Sequence, residues 1–146
     1  MLRGCWIFLL LLPQAVLADE VRLFNNSSRI ENLAVDVAVI VDPEPAVPGK
    51  NFYLRLRVTI PEGWHVYSMQ LEGESANLAT AVRFQKNPFP ILGKWEESPP
   101  RIERDEVLQK IVKSHSQFAE FNLLQSLPET TPPGDYLISG TLVYHA

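Results

Sequence analysis

The residues of this chain best suited to chemistry are its three histidines, its serines and its single cysteine. A histidine acts as a general base only beside a nucleophile or a carboxylate. His65, His115 and His145 are dispersed and lack the paired spacing of a zinc site. No serine lies in a Gly-x-Ser-x-Gly sequence, and no glycine-rich phosphate loop is present. We therefore expect no catalytic residue, no metal site and no cofactor, and we expect the histidines to lie at the surface.

Residues 1–18 have the pattern of a cleavable export signal. A positive charge at Arg3 precedes a continuous apolar run from Trp6 to Leu12. Val16 and Ala18 then satisfy the small-residue rule for cleavage, which predicts Asp19 as the mature N-terminus. An uncleaved membrane anchor is the alternative, but the apolar run is shorter than the ~20 residues of a spanning helix. We expect an exported, periplasmic domain with no direct membrane insertion.

The cysteine content and the charge exclude further classes of function. Cys5 is the only cysteine and lies inside the predicted leader, so the mature residues contain no thiol. This excludes a disulfide, a thiolate nucleophile and a cysteine-based zinc site within them. The net charge is −4 and no cluster of Lys and Arg exists, so we expect no nucleic-acid partner. The run Arg101–Glu106 mixes both signs of charge and is expected to form a solvated loop.

Alternating apolar residues are the main structural signal in the mature chain. Residues 33–41, 52–59 and 117–124 alternate with period two, which is typical of strands with one buried face. The third stretch is apolar on both faces and is therefore expected to be more central. Further strand candidates are residues 64–69, 81–84, 107–113 and 136–145, although residues 101–113 also suit a helix.

Sequences rich in proline and glycine separate these strand candidates, as in residues 42–49, 61–63 and 132–135. Many short strands with such turns predict an all-β fold, an immunoglobulin-like antiparallel β-sandwich. We assign residues 1–18 to the leader and residues 19–146 to this single domain, with residues 19–29 as a loosely held lead-in.

The string Gly63-Trp64-His65-Val66-Tyr67 is the most distinctive local sequence. It follows a turn, and alternation then predicts Trp64 in the core with His65 and Tyr67 on the opposite face. Burial of Trp64 would make Trp64→Ala cost about 3–5 kcal/mol of stability.

A second distinctive segment is the proline-rich stretch of residues 87–100, which we call the 87–100 loop. It carries Phe89, Ile91, Leu92 and Trp95, although loops are usually polar because their backbone runs through water. An apolar loop either folds down on the sandwich or serves a partner. Both interpretations stay open at this point.

Taken in order, these features resemble the N-terminal periplasmic domain of the thiol:disulfide interchange protein DsbD family. The resemblance covers about residues 47–146. It is carried by Pro48-Gly49, by Ile60-Pro61-Glu62-Gly63-Trp64-His65-Val66-Tyr67-Ser68, by the aromatic loop through Trp95, and by Pro133-Gly134-Asp135-Tyr136 leading into Gly140-Thr141-Leu142-Val143-Tyr144.

The resemblance implies an immunoglobulin-like sandwich that relays electrons. In the family, a cysteine pair on the C-terminal hairpin receives electrons from a membrane-embedded donor. It passes them to periplasmic thioredoxin-fold proteins, namely disulfide isomerases or cytochrome c maturation proteins. The positions that the resemblance marks as partner-binding or cap residues are His65, Tyr67, Phe89, Trp95 and Tyr144.

This chain departs from the family pattern, because no cysteine follows Tyr144 in the residues to Ala146. Residues 136–146 also look like a strand with no partner after it, an edge that natural sandwiches avoid. We expect the native gene to continue directly into a cysteine; the alternative is a redox-inactive relative. Residues 19–146 themselves are expected to have no thiol:disulfide exchange activity, because exchange requires a thiolate.

Two other classes of function are compatible with the sequence. One is a cysteine-free immunoglobulin-like module that docks proteins by its edge or by the 87–100 loop. The other is a carbohydrate-binding sandwich that uses Tyr53, Trp64, Tyr67 and Trp95 as stacking platforms.

The leader assignment predicts that the exported protein begins at Asp19, because Val16 and Ala18 direct the cut after Ala18. Mass spectrometry of the intact exported protein measures this directly. A mass that corresponds to a start at Met1, or to a lipid-modified cysteine, would contradict the assignment.

Overall fold

The structure, a computed structural model, describes residues 3–9, 23–24 and 35–146, and for the first two segments only the course of the strand. The predicted cleavage site and most of the lead-in lie outside the described residues. The fold is all-β and antiparallel, as predicted. Its strands are β1 (Arg3–Leu9), β2 (Leu23–Phe24), β3 (Asp36–Asp42), β4 (Asn51–Thr59), β5 (His65–Tyr67), β6 (Ala81–Lys86), β7 (Glu96–Glu97), β8 (Arg101–Asp105), β9 (Lys110–Ser116), β10 (Phe118–Ser126) and β11 (Ile138–Tyr144), with a short 3-10 helix at Gly73–Leu78.

These strands form three antiparallel sheets. The first has the order β2-β1-β11-β6, the second β3-β4-β10-β7, and the third β5-β9-β8. Side chains from the first two sheets share one apolar core, in which Leu56 and Phe121 of the second sheet join Ile138 and Leu142 of the first. None of the described residues forms a helix that is long and apolar enough to cross a membrane.

The strands β3, β4 and β10 follow directly from the alternation of the sequence. Their outward residues are polar or partly exposed, and their inward residues are nearly inaccessible. The inward residues are Val37, Val39 and Val41 of β3, Phe52, Leu54, Leu56 and Val58 of β4, and Ala119, Phe121 and Leu123 of β10. Strand β10 lies between β4 and β7, which confirms its predicted central position. A one-residue slip would turn all of these side chains to the opposite face, so burial fixes the register.

Strand β11 has a neighbour on each of its edges, one from the domain and one from the predicted leader. On one side it pairs with β6, and on the other with β1 from Arg3↔Tyr144 to Leu9↔Ile138. Because β1 lies within the predicted leader, cleavage after Ala18 would remove this neighbour of β11 from the mature chain.

Two local predictions were wrong. The charged run from Arg101 is strand β8 rather than a loop, because it pairs with β9 from Arg101↔Ser114 to Asp105↔Lys110. It is an edge strand whose first four residues are exposed, which is why its composition resembles that of a loop. The following strand begins at Lys110 rather than at Val107, because the chain turns at residues 106–109, where Gln109 has a φ of 54°.

The alternation of β10 makes a testable prediction about stability. Phe121 is fully buried, whereas Phe118 on the same strand is 45% exposed. We expect Phe121→Ala to lower the free energy of unfolding by about 3–5 kcal/mol because it leaves a cavity. Phe118→Ala removes the same atoms from the surface and should cost less than about 1 kcal/mol. Urea unfolding of both variants compares them; equal losses would contradict the assigned faces.

Candidate functional site

The third sheet brings together polar residues that are far apart in the sequence. Strand β5 pairs with β9 in the register His65↔Ser116, Val66↔His115 and Tyr67↔Ser114. Adjacent residues of these strands face opposite sides of the sheet. The chemistry-bearing side chains therefore form two groups, one on the side of the core and one on the other side.

The first group, the Glu97 cluster, lies on the core side and consists of Glu97, Ser68, His115 and the backbone N–H of Met69. Ser68 Oγ donates a hydrogen bond to Glu97 Oε1 at 2.5 Å, and Met69 N donates to Glu97 Oε2 at 3.0 Å. His115 Nε2 lies 2.9 Å from the same oxygen, Oε2. The side chains of Glu97 and His115 are each only 2% exposed. A buried carboxylate is thus matched by three donors, as burial of a charge requires.

The electrostatics of the cluster favour an ionised Glu97. Burial is the largest influence on the pKa of this carboxyl group and raises it. The hydrogen bonds from His115, Ser68 and Met69, together with the charge of His115, outweigh burial and hold the pKa of Glu97 below its ordinary value. The ring of His115 also packs edge-on against Phe121, with centroids 5.7 Å apart, which fixes its orientation.

The Glu97 cluster anchors the 87–100 loop to the rest of the domain. Between Pro90 and Ser98 this loop runs antiparallel along β10 as an irregular edge of the second sheet. Leu92 N donates to Leu124 O at 2.9 Å and Ser98 N to Glu120 O at 2.8 Å, with β7 paired in between. The loop is therefore folded down on the sheet, the first of the two interpretations that the sequence left open.

The aromatic residues of the loop pack onto both sheets. Phe89 is buried against Phe52 of β4, with ring centroids 5.6 Å apart and perpendicular planes. Trp95 is half-buried and stacks on Phe84 of β6 at 6.1 Å. Between them, Ile91 and Leu92 remain 45% and 40% exposed. The loop thus presents one apolar pair to solvent while its aromatic rings hold it in place.

The second group, the Asp105 cluster, lies on the other side of the third sheet. Tyr67 donates a hydrogen bond from its hydroxyl to Asp105 Oδ2 at 2.6 Å, and His65 Nε2 lies 3.3 Å from the same oxygen. Asp105 Oδ1 accepts from the backbone N–H groups of Val107 and Leu108 at 2.8 and 2.7 Å. The carboxylate therefore ties β5 to the turn between β8 and β9.

The pKa values of Tyr67 and Asp105 are shifted in opposite directions. Burial, followed by the hydrogen bond to Asp105 and the charge of that carboxylate, raises the pKa of Tyr67 well above its usual value. Burial also acts to raise the pKa of Asp105, but the bonds from Tyr67, Leu108 and Val107 and the charge of His65 lower it overall. At neutral pH the pair is a phenol donating to a carboxylate.

Of the five predicted site residues, three are interior and two are accessible. Tyr67, Phe89 and Tyr144 are buried, which leaves little of the Tyr67 ring open for stacking on a sugar. His65 and Trp95 are partly exposed. The loop reaches the end of β5 through Glu97, which bonds Ser68 on the core side, whereas His65 and Tyr67 face the other side of the third sheet. Tyr144 lies in the main core.

The prediction that Trp64 is buried was wrong, because its side chain is 41% exposed. Trp64 precedes β5 and closes a turn, with its N–H donating to Pro61 O at 3.2 Å. Gly63 in this turn has a φ of 81°, a conformation that glycine adopts readily. The alternation of β5 therefore does not extend back to Trp64, and Trp64→Ala should cost much less than the loss of a core aromatic.

The prediction of surface histidines was wrong for His115, which is buried. Its partner Glu97 is 18 residues away, and Ser68 is 29 residues from Glu97, so no local pattern could reveal the contact. The one available signal was a histidine placed between serines in a stretch that also suits a strand.

The chemistry open to the Glu97 cluster is structural rather than nucleophilic. Ser68 and His115 both bond to Glu97, whereas an activated serine requires the imidazole to lie between serine and carboxylate. Ser68 is also fully buried and therefore closed to substrate. Among residues 35–146, no three His, Cys, Asp or Glu side chains are grouped so that they could hold a metal ion.

Comparisons with protein-family models, curated proteins and solved structures found no match to this chain.

The Glu97 cluster predicts a specific pH dependence of stability. A carboxyl group whose folded pKa is lowered stabilises the fold above its unfolded pKa, and this contribution is lost as pH falls through the folded value. We expect Glu97→Gln to cost about 1–3 kcal/mol at pH 7, because it leaves buried donors poorly matched. The difference from wild type should shrink as the pH falls below the ordinary glutamate pKa.

Glu96→Gln is the matched control, because Glu96 is the exposed neighbour on β7 and the charge change is identical. Its cost should stay within about 0.5 kcal/mol at every pH. Urea unfolding from pH 7 to pH 3 measures all three proteins. A Glu97→Gln variant that tracks Glu96→Gln would show that the cluster does not contribute to stability.

Proposed function

We propose that the mature chain is an exported, immunoglobulin-like β-sandwich that docks thioredoxin-fold proteins in the periplasm, in the manner of the DsbD N-terminal domain. In such a system the electrons originate from a membrane-embedded donor. Residues 19–146 contribute binding rather than exchange chemistry, since they contain no cysteine.

One observation carries the proposal: the 87–100 loop is held as a rigid edge beside β5. Its backbone bonds to β10, and its Glu97 side chain bonds to Ser68 and His115. A loop that caps a site on β5 must lie beside that strand. It must also keep its conformation when a protein partner binds. The bonds to β10 and the buried Glu97 provide both properties.

The proposed docking surface is the exposed part of this loop, Ile91 and Leu92, with half-buried Trp95 at its border. An apolar pair on a fixed backbone loses little conformational entropy on binding, which favours recognition. The small size of the patch suits a transient complex, as expected for a partner that must leave after electron transfer.

A second candidate, docking at the hairpin of β8 and β9, is favoured by a different observation. Ile102, Val107 and Ile111 are the most exposed large apolar side chains among residues 35–146, and all three belong to this hairpin. Strand β8 is also the edge of its sheet and can accept a further strand. This surface would serve a cysteine-free docking module whose partners need no thiol.

Paired substitutions distinguish the two surfaces. We expect Ile91→Ser with Leu92→Ser to weaken binding of a periplasmic thioredoxin-fold disulfide isomerase at least about tenfold, a loss of about 1.4 kcal/mol. Ile102→Ser with Ile111→Ser removes more exposed apolar surface and should leave the affinity unchanged. Isothermal titration calorimetry with the isomerase measures both.

The reverse result, with loss only in the hairpin variant, would transfer the docking role to β8 and β9. No binding of the wild-type protein to any thioredoxin-fold partner would contradict the DsbD-type proposal itself. Circular dichroism of both double variants verifies that they are folded.

A further inference from the structure

A cleft of about 270 Å³ opens between the turn that precedes β5 and the turn that joins β9 to β10. Its lining includes Glu62, Trp64, His65, Glu103, Ser116 and Gln117. The volume is close to the lower limit of small-molecule sites, roughly 300 Å³. Neither the Glu97 cluster nor the 87–100 loop contributes to this lining.

The cleft exposes an aromatic face. Trp64 is 41% exposed because the Pro61 turn holds it outside the alternation of β5. The two cation–π contacts within residues 35–146 involve Tyr53 and Phe118, so neither of them uses the Trp64 ring. The face of an indole is electronegative and is the best aromatic partner for a cation.

The polar lining of the cleft is acidic, and it includes the Ser116 hydroxyl, which can accept a hydrogen bond. Glu62 and Glu103 contribute two carboxylates, and no Lys or Arg is among the lining residues. The hydroxyl of Ser114 donates to Glu103 Oε1, which fixes this side chain in place. Ser116 Oγ is shielded from water and has no hydrogen-bond partner among the described residues. A buried hydroxyl without a partner is costly unless a ligand satisfies it.

From these features we infer that the Trp64 cleft binds an organic cation, an ammonium or guanidinium group. The cation lies over the Trp64 ring, with Glu62 and Glu103 as its counter-charges and Ser116 Oγ as an acceptor. Glu62 and Glu103 bring negative charge to the lining, which a cation neutralises and a neutral ligand such as a sugar does not. The site is independent of the proposed docking loop, because the two share no residue.

Nuclear magnetic resonance titration of the exported protein tests this inference. The cationic probes are N-acetyl-arginine amide, N-acetyl-lysine amide and tetramethylammonium; the neutral probes are N-acetyl-citrulline amide and methyl glucoside. We expect saturable shifts of the Trp64 indole N–H and the Ser116 amide with the cations only. Citrulline is the uncharged isostere of arginine and isolates the contribution of charge.

Variants identify the groups responsible. We expect Trp64→Leu to weaken cation binding about two- to fivefold, as the loss of an exposed cation–π contact implies. Glu62→Gln and Glu103→Gln should each weaken it by a similar factor. Glu129→Gln is the matched control. Glu129 follows the C-terminal end of the nine-residue strand β10, whose other end borders the cleft about 30 Å away, so this variant should leave the affinity for the cations unchanged.

Titration with a lysine- or arginine-containing peptide distinguishes a protein side chain from a free amine as the source of the cation. Binding at least about tenfold tighter than the amino-acid amides assigns the cleft to a side chain of a protein partner, whereas equal affinity assigns it to a free amine. Citrulline or glucoside binding as tightly as the cations would overturn the inference, as would Glu62→Gln with unchanged affinity. Glu62 is exposed, so that variant is expected to fold normally.

Discussion

The buried carboxylate of Glu97 is the interaction on which the arrangement of the domain's surfaces depends. It joins the 87–100 loop, which pairs with β10, to two paired strands of the third sheet, at the end of β5 and on the core side of β9. A buried charge that loses its partners is strongly unfavourable, so each donor restrains the others. The loop is consequently held at one distance from the aromatic strand, and its Ile91 and Leu92 are exposed as a consequence of that restraint.

The third sheet serves as a support with different chemistry on its two sides. On the core side His115 meets Glu97, whereas on the opposite side Tyr67 and Asp105 fix the turn of the β8–β9 hairpin. Tyr67 and His65 thus hold β5 against this turn through Asp105. Exposed side chains lie at the borders of this sheet, in the 87–100 loop on one side and in the Trp64 cleft on the other.

Local pattern was sufficient for the strands whose burial decides their conformation. In β3, β4 and β10 every second residue is apolar, so the faces and the all-β class could be predicted. Local sequence pattern gave wrong predictions where a contact with a distant residue decides the conformation or the burial. Strand β8 is charged and exposed, Trp64 belongs to a turn rather than to its strand, and His115 is buried by a glutamate 18 residues away. The sequence left open whether the 87–100 loop folds down on the sheets, and its anchor at Glu97 could not be inferred because Ser68 and His115 are distant in the chain.

Native-state hydrogen exchange in Glu97→Gln, with Glu96→Gln as reference, tests most directly whether Glu97 holds the loop. The informative amides are those of Met69, Leu92 and Ser98, whose hydrogen bonds connect the loop to its neighbours. If Glu97 is the anchor, these amides lose more protection than the amides of β4, which report global unfolding. An equal loss at all sites, matching only the change in global stability, would show that the loop is held by its backbone pairing with β10 and would contradict the account.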